Sequence, residues 1–467
     1  MVYVPRRVLP WELCQRLHRT FNCIYVLSMT SPEWSNLMDL YQNIVCRGTV
    51  QYLEKQARRR RKRGIYTAPV VLWLMMVQTL QRRGTLASAV QALQQGACAP
   101  LLFRCRRVRQ NRISAGTGGY CQARLKLPKL LCRQVSQEIL EQLREKLNPG
   151  GQPPVLVLDG SSLELEHSRS LVRRYPPAHN QYGRSHWPVL KVVVMHDAAT
   201  GLAHAPAWGA MYGPEAVSEQ ALAEKAMDAA PPEAVLIGDR NFGVFSVAWA
   251  ARQRNLQVVI RLTQERAFKM VGPISQEGCQ EVVWKPSAYE RSRHDWPPEA
   301  AVAGRLIVVR IGRGKSQEWL YLFTTSPQPA GEVVALYKQR WNIETDLRSL
   351  KRTVELHHIA VRTVDMLEKH LTMAISAYNL VRAVMALAAR RARIDPRQLS
   401  FTQVLTLVDL AWHRLVTAST QKQHDREFVR VLKQAAKCRL PKRSKHRSYP
   451  REQWHRGGER HYRKAKN

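Results

Sequence analysis

Val155-Leu156-Val157-Leu158-Asp159-Gly160-Ser161 is an apolar run of strand length that ends in a carboxylate followed by glycine. Val235-Leu236-Ile237-Gly238-Asp239-Arg240-Asn241 repeats the design. In open α/β sheets functional side chains gather at strand ends, because the strand fixes the backbone while the side chain clears the sheet. One aspartate after a strand is more often a turn former. Two in matching contexts turn the reading toward a site.

Outward from the first run, Asn148-Pro149-Gly150-Gly151 is a turn cluster that marks a boundary. After it the pattern changes from helical to strand-like: strands at 155–158, 189–196 and 202–211, a helix at 218–228, a strand at 235–238, a helix at 245–254 and a strand at 258–262. Helical periodicity then disappears until about Ala330, while 305–311 and 319–324 read as two strands around Gly312-Arg313-Gly314. This predicts a β-rich insertion. Helical pattern resumes at Glu332, runs through Lys351 and again from Met366 to about Arg393, and breaks at Pro396.

The third informative stretch is Tyr337-Lys338-Gln339-Arg340-Trp341-Asn342-Ile343-Glu344, continuing to Lys351. On a regular helix at ~100° per residue, Tyr337, Arg340, Glu344 and Lys351 fall within an arc of about 60°. Asp346 points about 160° away from Glu344 on the same count, so Glu344 is the carboxylate expected to join the two aspartates. A solvated face with i,i+4 charge pairs is the plainer reading, but it calls for neither Tyr nor this spacing. Three converging carboxylates repel unless cations sit between them, and hard oxygen donors suit two Mg²⁺ ions, with Mn²⁺ as the plausible substitute. Such a pair activates a water or 3′-hydroxyl and stabilises the leaving oxygen at phosphorus. Arg340 and Lys351 would hold phosphate, with Tyr337 as a further donor.

Charge agrees with a polyanionic partner. The 467 residues carry 73 Lys and Arg against 36 Asp and Glu, a net charge of +37, far more than solubility needs. Arg58 to Arg63 forms one basic run and the end of the chain from Arg439 another; a solvated charge run is the alternative for either alone. Before the boundary, Val70 to Val77 and Leu86 to Leu93, the latter capped by Thr85, read as a helix-turn-helix-like pair or an ordinary helical hairpin. No apolar stretch reaches the ~18–20 residues of a spanning helix, and no signal-peptide pattern opens the chain, so no membrane partner and a cytoplasmic location are expected. Nine scattered cysteines without a C-x-x-C pair read as reduced thiols. Gly314-Lys315-Ser316 lacks the first glycine of a phosphate-binding loop, with Val309 in its place.

These residues together resemble the bacterial insertion-sequence transposases of the DDE class, specifically the insertion sequence 4 family with its Y-R-E-K signature. The spacing Y-(2)-R-(3)-E-(6)-K is intact at Tyr337, Arg340, Glu344 and Lys351, and VLVLDGSS and LIGDRNFG are similar to the family's two aspartate regions. The resemblance covers roughly residues 150 to 390. It implies Asp159, Asp239 and Glu344 as metal-binding catalytic residues, and Tyr337, Arg340, Lys351 and, less directly, Arg240 as DNA contacts. It implies an α/β, ribonuclease-H-like core interrupted by a β-rich insertion, and a homodimer on double-stranded DNA, at transposon ends and target, nucleoid-associated when bound. Some members stack an aromatic residue on a flipped base, a role for which Trp284 and Trp319 are candidates, although a core position is the first expectation for each.

The expected organisation is a basic helical DNA-binding region at 1–150, the first part of the core at 151–262, the insertion at 263–330, and the Glu-bearing and following helices at 331–395. A helical region at 396–437 and a basic tail at 438–467, disordered without DNA, complete it. Strand transfer by two-metal chemistry is the leading activity; a ribonuclease-H-like nuclease that cuts without joining and a DNA-binding protein without catalysis are the alternatives.

Overall fold

The computed structural model describes residues 64–81, 84–102, 105–148, 150–181, 183–312, 317–353, 360–417, 421–441, 451–456 and 459–464. The basic run at 58–63 and the Gly314-Lys315-Ser316 turn lie outside them.

Among the described residues, four helices of nine residues or more precede the sheet: α1 (Ala68–Leu80), α2 (Leu86–Gln94), α3 (Gly118–Lys126) and α4 (Lys129–Leu147). Thr85 caps α2 as expected, its hydroxyl accepting from Ser88 N at 3.0 Å. Helix α1 is apolar on all sides and is buried from Val70 to Val77. It and α4 pack on α9 (Val364–Ala392), far along the chain.

The strands are β1 (Val155–Glu164), β2 (Pro177–Asn180), β3 (Gly183–Asp197), β4 (Ala207–Ala210), β5 (Val235–Gly238), β6 (Gln257–Leu262), β7 (Gly278–Trp284), β8 (Val302–Ile311) and β9 (Glu318–Thr324). Helices α5 (Glu219–Ala226) and α6 (Phe245–Gln253) alternate with β4, β5 and β6. All nine strands share one sheet, ordered β2-β3-β1-β5-β6-β9-β8-β7, with β4 on the free side of β3. β1, β5 and β6 are parallel; β3 is antiparallel to β1.

Two features refine the sequence reading. The β-rich stretch expected as an insertion forms no sheet of its own: β9 pairs with β6, Ile260 opposite Phe323, and carries β8 and β7 onward as an extension of the central sheet. The edge of β6 left open by the parallel strands is thereby covered. Second, β1 does not end at Asp159. It continues to Glu164, paired with β3 throughout, so Asp159 lies mid-strand.

Alternation along the strands builds two cores. Leu156, Leu158, Leu236, Val258 and Ile260 face α5 and α6. Val157, Leu163, Ile237 and Val259 face the other layer, formed by α4, α9, α10 (Phe401–Thr417), α11 (Gln421–Ala435) and the Tyr337-to-Leu350 segment. Helix α9 contains an 18-residue window apolar enough to cross a membrane, which the sequence reading overlooked; 94% of that window is buried inside the protein. At the end of the chain, Arg451–Arg456 (β10) and Glu459–Lys464 (β11) pair as an antiparallel hairpin. These two described stretches are thus paired strands where the sequence led to the expectation of a disordered tail.

Candidate active site

Val157 of β1 pairs with Ile237 of β5, so Asp159 and Asp239, each two residues further, stand side by side on neighbouring parallel strands. By alternation Asp159 and Ser161 share the face of Val157, toward the Tyr337-to-Leu350 segment, while Gly160 faces α5. Asp159 is half-buried and its Oδ1 accepts from Gly160 N at 2.8 Å. Asp239 is also half-buried, and its Oδ1 accepts from Asn241 N at 2.8 Å. Burial pushes the Asp159 carboxyl up to about 6, opposed by the Gly160 N–H and Arg340 and reinforced by the negative charges of Asp239 and Glu219.

The segment carrying the remaining candidates is not one regular helix. Helix α7 (Ala330–Lys338) tightens into a 3-10 turn over Gln339–Trp341, continues as α8 (Asn342–Arg348), and widens into a π turn over Ser349–Thr353. Each residue of a 3-10 turn advances by ~120° and each residue of a π turn by less than a regular helix gives, so the segment departs from the ideal helix on which the single arc is reckoned.

Tyr337 is buried, receives a hydrogen bond from Arg261 of β6 and faces Asp239; burial raises its phenol above the usual range. Arg340 lies near enough to Asp159 to favour its ionised form. The Glu344 carboxylate is 48% exposed and pairs with Arg340 at 3.8 Å. Lys351 reaches β1, its Nζ donating to Ser161 Oγ at 3.0 Å. Arg240 is exposed beside Asp239. Asp159 and Asp239 are thus brought together, with Tyr337, Arg340 and Lys351 around them, whereas Glu344 rests on Arg340. Among the described residues no set of three acidic, His or Cys side chains is placed to hold one metal ion.

Asp346 points away from the site as the spacing predicts, and its role is visible only here. It is 1% exposed and is held by Arg382 of α9 and by Arg397, whose Nη1 lies 2.6 Å from both carboxylate oxygens. Arg397 Nη2 also donates to the backbone oxygens of Asp197 and Ala198 at 2.8 Å each, so α8 is locked onto the end of β3. Neighbouring His196 is driven down to about 3 by burial and stays neutral.

Trp284 is a core residue, 7% exposed and edge-on to Phe323 at 4.9 Å. Trp319 is half-buried beneath the Arg310 guanidinium at 4.4 Å. Six cysteines among the described residues are free thiols.

Residues 150–380, the span holding Asp159, Asp239 and the Y-R-E-K segment, match the family described as the transposase DDE domain. That span belongs to the DDE transposases. A curated relative, the transposase InsG for insertion sequence element IS4 of Escherichia coli (strain K12), is 27% identical over 229 residues, 48% of this chain and 50% of the relative. The match thus spans about half the length of that curated relative. The likeness to insertion sequence 4 transposases read from the Y-R-E-K spacing is borne out.

The residues that sequence reading missed around Asp159 and Asp239 are Glu219, Asn241, Arg261 and, as a partner of Lys351, Ser161. Only Gly160, directly after Asp159, hints at a close approach: a Cβ there would lie 2.6 Å from Glu219 Cδ.

Proposed function

We propose that this transposase cleaves DNA at the ends of its element and joins the 3′-hydroxyl ends to target DNA by metal-dependent phosphoryl transfer, with Asp159, Asp239 and Glu344 as the catalytic carboxylates. The observation that carries the reading is the level placement of Asp159 and Asp239 on adjacent parallel strands, with α8 packed against β1.

The donor set suits Mg²⁺ or Mn²⁺. Both aspartates are half-buried, their mutual repulsion is felt at Asp159, and for each a backbone N–H engages Oδ1. Asp159 and Asp239 would hold the ions, with Glu344 completing the set once its carboxylate leaves Arg340. When bound, two ions supply Lewis acidity to the attacking and leaving oxygens of the displacement. The chain's other residues bind and orient. Arg340 and Lys351 receive phosphate oxygens, Lys351 from its post on Ser161. Tyr337, steadied by Arg261, and exposed Arg240 add donors on the Asp239 side.

The strand order β4-β3-β1-β5-β6, with β1, β5 and β6 parallel, supports a ribonuclease-H-like core. The basic N-terminal region would bind duplex DNA, and two copies would act on paired ends in the bacterial cytoplasm, on the nucleoid.

The test is Mg²⁺-dependent cleavage of a labelled duplex carrying the element's own ends, by the intact protein and by Glu344→Gln. Cleavage and joining lost in the variant with DNA binding kept is the expected result. Equal cleavage would move the chemistry elsewhere, and cleavage without joining would indicate a nuclease.

A further inference from the structure

Glu219 is the first residue of α5, behind the cap formed by Ser218, whose hydroxyl accepts from Ala221 N at 3.0 Å. An acid in the first turn is ordinary, since it complements the helix dipole. The surroundings of this one are not. A Cβ on Gly160 would lie 2.6 Å from Glu219 Cδ and 2.8 and 3.0 Å from its two carboxylate oxygens, so the carboxylate sits directly on the backbone next to Asp159. The same group accepts a hydrogen bond from Asn241 Nδ2. The next residue, Gln220, donates from Nε2 to Asn241 O at 2.8 Å and to Asn241 Oδ1 at 3.0 Å. Asn241 in turn donates its backbone N–H to Asp239 Oδ1 at 2.8 Å.

The first turn of α5 therefore grips Asn241 at its amide nitrogen, its amide oxygen and its backbone carbonyl, and the only backbone N–H of that residue is directed at Asp239. We propose that Glu219 is a positioning residue that acts through Asn241 to orient the Asp239 carboxylate for a divalent cation. This rests on the reading of Asp159 and Asp239 as the metal site. The physical reason is that a ligand carboxylate keeps its direction through the groups that hydrogen-bond to it, and an amide held by a charged acceptor is held more firmly than one held by water. A dipole-complementing acid alone needs neither a glycine at 160 nor an asparagine at 241.

The experiment is titration of Mn²⁺ into the full chain without DNA, followed by electron paramagnetic resonance of the free ion, for wild type, Glu219→Ala, Glu219→Gln, Asn241→Ala, the Ala/Ala double variant and Asp239→Asn. Glu219→Ala and Asn241→Ala are each expected to weaken Mn²⁺ about ten-fold, the low end for loss of a group that orients a ligand. The double variant should lose no more than either single one, and Glu219→Gln, whose amide oxygen still accepts from Asn241, should stay within about three-fold of wild type. Gly160→Ala reaches the same contact from the β1 side and should reproduce the loss should Glu219→Ala prove unstable. Unchanged Mn²⁺ affinity in Glu219→Ala, additive losses, or a Gln variant as weak as the Ala one would overturn the positioning role. Unchanged Mn²⁺ affinity in Asp239→Asn would instead remove the metal-site reading beneath it.

Discussion

Arg397 Nη1 lies 2.6 Å from both carboxylate oxygens of Asp346, two residues from Glu344, and fastens the helix that carries Glu344 to the end of β3. Arg382 completes the buried pair, and its guanidinium fills the space above Gly201, where a Cβ would meet it at 2.9 Å. The placement of a candidate catalytic side chain thus depends on ion pairs on the opposite side of its own helix.

Asp346→Ala is expected to destabilise the fold by about 3–5 kcal/mol in urea unfolding, because the buried Arg382 and the half-buried Arg397 lose their counter-charge. Burial alone would raise the Asp346 carboxyl, yet Arg382 and Arg397 outweigh it and hold it below the usual carboxylate range. A group depressed in the folded state contributes stability that is present above its unfolded pKa and lost as pH falls through the folded value. The gap between wild type and variant should therefore close only in strong acid. A gap independent of pH would remove the charge pair as its cause.

Asp159 has the opposite sign. Its carboxyl, raised by burial to about 6, contributes stability at low pH that is lost as pH rises through that value. Asp159→Asn should melt higher than wild type at pH 7.5 without divalent ions and gain little at pH 4. Added Mg²⁺ should raise the melting temperature of wild type and not of the variant. Equal melting at pH 7.5 would contradict the desolvated, crowded carboxylate described above.

Ser161→Ala removes the acceptor that holds Lys351 at 3.0 Å. Cleavage efficiency is expected to fall about ten-fold, on the scale of one hydrogen bond to a charged group, and Lys351→Met to fall further. Combining the two should add little to Lys351→Met alone. Full activity in Ser161→Ala would show that Lys351 finds its place without β1.

Gly243→Ala should disturb the Asp239 loop. A Cβ at 243 would lie 2.2 Å from the Arg261 carbonyl oxygen and 3.3 Å from that of Arg240, both backbone atoms that cannot give way cheaply. A loss of about 1–3 kcal/mol in stability is expected with weakened Mn²⁺ binding. Gly331→Ala, where the added methyl meets open space, is the matched control. Mn²⁺ binding equal in both variants would argue that the loop tolerates the shift.

Sequence alone determined the two aspartate-bearing strands, the alternation of strands and helices around them, the helical character of the Tyr337-to-Lys351 stretch, and the opposite facing of Glu344 and Asp346. Each of these is local, written in apolar periodicity and side-chain spacing over a few turns. Tertiary structure decided the rest. The joining of β7, β8 and β9 to the central sheet depends on hydrogen bonds to the free edge of β6, which no periodicity announces. The burial of α9 depends on helices from both ends of the chain closing around it. The segment of Tyr337, Arg340, Glu344 and Lys351 is a helix with a tight turn at Gln339–Trp341 and a wide one at Ser349–Thr353, and the partner of Lys351, Ser161 on β1, comes only from the packing of that segment on the sheet. Contacts between residues far apart in the chain, such as Arg397 on Asp346, carry no mark in local sequence because neither partner's immediate neighbours need change to permit them, and Gly160 marks a close approach without telling that Glu219 makes it.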